Sequence, residues 1–149
     1  DLDPAEARFT VAHELAHFLR DFDAPRRRVA ARLGVAALEV LDGLRPPTAD
    51  ERLAGLLRGV SVGPAAHFMD RDRRGAVLDP DAREAEAKAD RLAFELVAPF
   101  AAVEADAAAG REKLAESLVS RFGLPPEQAG VYTRILLPHF HVKPRLFGA

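Results

Sequence analysis

The chain has 149 residues, 48% apolar and 30% charged, a globular balance that suits one compact domain rather than a disordered tail. A net charge of −2 supplies no overall positive field for nucleic acid or anionic lipid. With no cysteine, disulfides, thiolate metal sites and cysteine nucleophiles are excluded, so imidazole and carboxylate must hold any metal.

In chain order, Asp1-Leu2-Asp3-Pro4 carries neither Met nor a signal peptide and reads as the start of a fragment, cytoplasmic by default. Asp3-Pro4 is an N-cap followed by proline at the first helical position, opening a helix expected to stop near Asp21 to Pro25. Segment 26–42 has helical periodicity broken by Gly34, and Gly43 to Thr48 is a loop. Thr48-Ala49-Asp50-Glu51 is a capping box that starts the next helix. Segment 59–81, punctuated by Gly59, Gly63-Pro64, Gly75 and Pro80, reads as irregular with a short strand or hairpin near Ala76-Val77-Leu78. A strong helix rich in Ala, Glu and Leu runs from Pro80 to Val97 and ends at Pro99. Helices over 101–109, 111–122 and 127–137 follow, and the tail from Pro138 to Ala149 is expected to be extended. The fold class is therefore mainly α. No apolar run approaches the ~20 residues of a membrane span.

The chemistry concentrates in His13-Glu14-Leu15-Ala16-His17. Residues four apart on a helix share a face, with Cβ atoms about 5–6 Å apart, so both imidazoles can reach one ion. Glu14 then stands beside the ion as general base, able to take a proton from a water that zinc acidifies to a pKa of about 7. The bland alternative is an amphipathic helix carrying two ordinary histidines. The apolar flank of Phe9, Val11, Ala12, Leu15, Ala16, Phe18 and Leu19 argues against it, because polar groups surrounded by buried residues are costly without a partner. A catalytic zinc needs a third protein ligand. The run Glu84-Ala85-Glu86-Ala87-Lys88-Ala89-Asp90 offers Glu86, with Glu84 second, while Asp90 shares the face of Glu86 and can orient a ligating histidine. A solvated charged face is the plain alternative for this run.

Two segments together resemble one family. Arg8-Phe9-Thr10-Val11-Ala12-His13-Glu14-Leu15-Ala16-His17 is similar to the active-site helix of the ImmA/IrrE metallopeptidases, and Glu86-Ala87-Lys88-Ala89-Asp90-Arg91-Leu92-Ala93-Phe94-Glu95-Leu96-Val97-Ala98-Pro99 is similar to their second motif. Ala16, Leu92 and Ala98 stand where the family usually has Gly, Phe and Met. The resemblance implies one zincin-like helical metallopeptidase domain over 1–149, with a helical insertion at 26–76 and a C-terminal helical hairpin and tail over 101–149. It implies one zinc ion on His13, His17 and Glu86, supported by Asp90. The activity implied is endopeptidase cleavage of a protein, a helix-turn-helix repressor in characterised members, in a stress or mobile-element response. The β-sheet that precedes the active-site helix in the family is expected to be absent or minimal in this chain, since only Asp1 to Arg8 precede Phe9. A second reading is a non-catalytic regulatory module on the same scaffold, which binds a protein partner without cutting it.

Tyr132, His67, His139 and His141 are available as oxyanion donors, His67 foremost, although each is expected first as a packing or surface residue. Segment 114–137 has helix-turn-helix spacing, but its second helix offers only Gln128 and Arg134 to base edges beside Glu127. A structural hairpin is the preferred reading there, and direct nucleic-acid binding is not expected.

Overall fold

A computed structural model describes residues 3–63 and 80–141. Among the described residues the chain is mainly α, with no strand. The helices are α1 (Pro4–His17), α2 (Ala24–Leu33), α3 (Leu38–Leu41), α4 (Ala49–Arg58), α5 (Pro80–Val97), α6 (Phe100–Ala109), α7 (Arg111–Ser120) and α8 (Pro126–His141). No helix among the described residues is long and apolar enough to cross a membrane. The strand expected near Ala76-Val77-Leu78, and His67, lie outside the described residues. The chain forms two compact units, Asp1–Ala16 with Ala87–Ala149, and His17–Glu86.

The first unit is built on apolar burial. Phe9 and Ala12 of α1 meet Ala93 and Phe94 of α5, and the same cluster takes in Val103, Leu114, Leu118, Leu124, Tyr132 and Leu136. Phe94 lies between the rings of Phe9 (centroids 5.2 Å apart) and Tyr132 (4.7 Å, stacked), at offsets typical of favourable aromatic pairs. Ala12, Ala16, Ala89 and Ala93 are all buried, and such small side chains permit close helix packing. Pro99 ends α5, and the Glu95 carboxylate accepts the Phe100 N–H (3.1 Å), satisfying one of the free donors at the start of α6. Helices α6, α7 and α8 pack on one another, so the 114–137 hairpin contributes Leu114, Leu118, Ala129 and Tyr132 to the core. At Gly123 the backbone is left-handed (φ 65°), and an added Cβ would meet the Arg8 guanidinium that donates to the Phe122 carbonyl.

In this unit α7 ends at Ser120, two residues short of expectation, and the larger departure is at the end of α8. The extended tail expected from Pro138 is helical as far as His141. Proline removes one backbone donor and crowds one upstream carbonyl, a local cost. Buried Leu136 and Leu137 anchor the turn before it.

The second unit is smaller and more charged. Its core is Val29, Ala37, Leu41 and Val60, with Leu33 and Leu38 against it. The helix stop expected between Asp21 and Pro25 does not occur. Phe18–Asp23 continues α1 in a wider π-helical register, in which the Ala24 N–H donates to Leu19 O, and leads directly into α2. Proline at the start of α2 accounts for both observations: it is tolerated in a first turn, and the wider register relieves its clash with the preceding carbonyls. The break expected at Gly34 within 26–42 occurs there (φ 91°), and a single 3₁₀ turn, Val35–Ala37, and the short α3 follow it. Thr48 and Glu51 form the expected capping box, the Glu51 N–H donating to Thr48 Oγ1 (3.2 Å) and the Thr48 N–H to Glu51 Oε2 (2.8 Å). Arg45 donates to Glu51 (2.6 and 2.8 Å) and Glu39 (2.9 Å), while Arg26 grips Asp42 with both guanidinium arms.

Candidate metal centre

Helix α1 carries His13 and His17, and helix α5 carries Glu86 and Asp90. On α1 the face with Phe9, Ala12 and Ala16 is buried, and His13 and His17 sit beside it, half-buried. The apolar flank, which the sequence reading expects to be buried, is not buried throughout. Val11 is 68% exposed, Phe18 51% and Leu15 44%, because they lie on the helix face away from Phe9, Ala12 and Ala16. Glu14 falls on that exposed side. The two imidazoles are thus screened by packing, while the carboxylate beside them faces water.

His13, His17 and Glu86 each offer one ligand atom, and these atoms lie within 4.8 Å of one another. His17 Nε2 is 3.8 Å from Glu86 Oε2. Zinc bonds of about 2.0–2.2 Å place neighbouring tetrahedral donors roughly 3.3 Å apart, so a small closure meets the metal's requirement. Neutral imidazole and carboxylate are also the donor types zinc accepts in the absence of thiolate. The residues therefore fit a bound divalent ion. Glu84, the second choice for third ligand, is not in this group.

The second nitrogen of each ring has its own carboxylate. His13 Nδ1 donates to Asp90 Oδ1 (2.8 Å), bringing together the two positions expected to cooperate. His17 Nδ1 donates to Asp21 Oδ2 (2.7 Å), a partner the sequence reading passed over. Its signal was available: Asp21 stands four residues after His17, the interval at which helix side chains meet, but it fell where the helix was expected to end. Such a bond fixes which ring nitrogen carries the proton and leaves the other as the metal donor. Arg20 joins the set, donating to Ala85 O (3.0 Å) beside Glu86 and lying 3.7 Å from Asp21 Oδ1.

Of the oxyanion candidates, Tyr132 is buried, its hydroxyl donating to Glu95 Oε1 (2.7 Å) and within reach of Ala98 O (3.2 Å). Burial and the neighbouring Glu95 carboxylate push its pKa well above the ordinary phenol value, so it stays a neutral donor engaged within the core. His139 and His141 lie at the end of α8, and their side chains are outside the described ones. Arg134 is exposed and Gln128 half-buried on α8.

Comparison with protein-family models finds no match, and comparisons with curated proteins and with solved structures find none either.

Proposed function

We propose that the chain is a zinc-dependent endopeptidase with a zincin-like helical core, acting on a protein substrate. The observation that carries this reading is the convergence of ligand atoms from His13, His17 and Glu86 within 4.8 Å, with Glu14 on the same helix as both histidines. The resemblance of both motifs to the ImmA/IrrE metallopeptidases supports the same assignment, and suggests a helix-turn-helix repressor as the substrate class and the cytoplasm as the location.

His13, His17 and Glu86 would hold the ion, with Asp90 fixing the His13 ring through its Nδ1–H. When bound, zinc supplies Lewis-acid polarisation of the scissile carbonyl and a water acidified to near-neutral pKa. The remaining work falls to Glu14. Its exposed carboxylate takes the proton of the attacking water and returns it to the departing amine, a pair of transfers worth about 10²–10⁴-fold in rate. A site that only held an ion would have no use for this carboxylate.

Zinc content and cleavage of a helix-turn-helix repressor, measured on the wild-type chain and on Glu14→Gln, test the proposal. One zinc per chain in both proteins, with cleavage falling by about 10²-fold or more in the variant, is the expected result. Zinc bound without cleavage, or cleavage indifferent to Glu14→Gln, overturns the peptidase assignment in favour of a metal-holding regulatory module. A wild-type chain that takes up no zinc overturns the metal centre itself.

A further inference from the structure

We infer that Asp21 is the positioning residue of His17, so that this centre rests on two carboxylate–histidine pairs, one on each imidazole; the inference presupposes the metal reading above. Asp21 Oδ2 accepts from His17 Nδ1 at 2.7 Å, a short, charge-assisted bond, and His17 Nε2 faces Glu86 Oε2 at 3.8 Å. One end of the ring is tied and the other is presented toward the third ligand.

Asp21 is itself held. Arg20 Nη2 lies 3.7 Å from Asp21 Oδ1, and Arg20 Nη1 donates to Ala85 O, the residue before Glu86. The connections close a ring: His17 to Asp21, Asp21 to Arg20, Arg20 to the α5 backbone at Ala85, and Glu86 back toward His17. The neighbouring carboxylate Asp23, in the same π-helical segment, takes no part in it and pairs instead with Arg27 Nε (2.8 Å). Two carboxylates two residues apart thus separate by what they touch, and only one touches a ligand.

The division of labour follows from helix geometry. His13 draws its carboxylate from 77 positions away on α5, whereas His17 draws its own from the next turn of chain. Asp21 therefore orients His17 before any ion arrives, and raises the donor strength of Nε2 once one does.

Zinc affinity, measured by competition with a chromophoric chelator on the full chain, reads the role directly. Asp21→Ala is expected to weaken zinc binding roughly 10- to 100-fold, Asp21→Asn by less because an amide oxygen still accepts, and Asp23→Asn to leave it unchanged. A readout that needs no substitution is the ring tautomer of His17 in the zinc-free wild-type chain, by ¹⁵N-resolved NMR. The Nδ1–H form is expected, and a dominant Nε2–H form overturns the inference even if Asp21→Ala fails to fold. Wild-type binding with unchanged affinity in folded Asp21→Ala overturns the role of Asp21 and leaves the metal centre standing. A wild-type chain that binds no zinc overturns the metal centre, and this inference with it.

Discussion

The two compact units are held together by different physics. In Asp1–Ala16 with Ala87–Ala149, Phe94, Val103, Leu114, Leu118 and Leu124 are essentially out of water, and an aromatic row of Phe9, Phe94 and Tyr132 runs through the centre. In His17–Glu86 the apolar cluster is Val29, Ala37, Leu41 and Val60, while Leu53, Leu56 and Leu57 of α4 stay largely exposed. Its short helices are fixed by caps and ion pairs: Thr48 with Glu51, Arg45 with Glu39 and Glu51, Arg26 with Asp42. Burial of large side chains contributes kilocalories per residue, whereas exposed ion pairs contribute about 0–1 kcal/mol each. The first unit should therefore be sensitive to volume, the second to charge and capping.

The largest effect that distinguishes them is Phe94→Ala. Phe94 is 1% exposed and touches two other rings, so truncation leaves a cavity with little means of collapse. A loss of about 3–5 kcal/mol is expected from urea unfolding, with amide exchange accelerating through α5 to α8. A loss under about 1 kcal/mol would place the stability of this unit somewhere other than its aromatic row.

Next is Thr48→Ala, which removes the side-chain acceptor for the Glu51 N–H while disturbing no core residue. Its expected cost is about 1 kcal/mol. The sharper readout is hydrogen exchange, which should quicken in the first turn of α4 and leave α6 to α8 unchanged. Equal acceleration in both units would break the distinction between them.

That capping box was readable from the sequence because it is a local device: two side chains three residues apart serve two backbone donors, and nothing distant is needed. The two histidines of the candidate centre and the Glu86–Asp90 pair were readable for a similar reason, each being a four-residue spacing within one helix. The π-helical turn over Phe18–Asp23 was not readable. Pro25 signals that an α-helix cannot continue unchanged, but not whether the chain breaks or widens its register, a choice made by backbone geometry and packing. Asp21 was hidden with it, since its i+4 relation to His17 exists only where the helix continues past residue 21. The exposure of Val11, Leu15 and Phe18 was hidden for another reason: an apolar run states that burial is favourable, not which face finds a partner.

The smallest effect is a pH dependence confined to the charged unit. Hydrogen bonding to Arg45, helped by the Thr48 N–H, lowers the Glu51 carboxyl from its ordinary 4.5 to about 2. A carboxyl depressed in the folded state contributes stability that is fully present above the unfolded value, near 4.5, and is lost as pH falls through about 2. Arg45 stays protonated throughout, its pKa raised by the same contacts with Glu51 and Glu39. Protection of α4 amides should therefore decline between about pH 4.5 and 2, and Glu51→Gln should flatten that decline while lowering protection at neutral pH. Because the pair is only half-buried, molar salt should shrink the effect as well. The carboxyl ¹³C shift of Glu51 is the direct measurement: titration near 4.5 would mean that Arg45 does not hold this carboxylate in solution, and that capping alone fixes the start of α4.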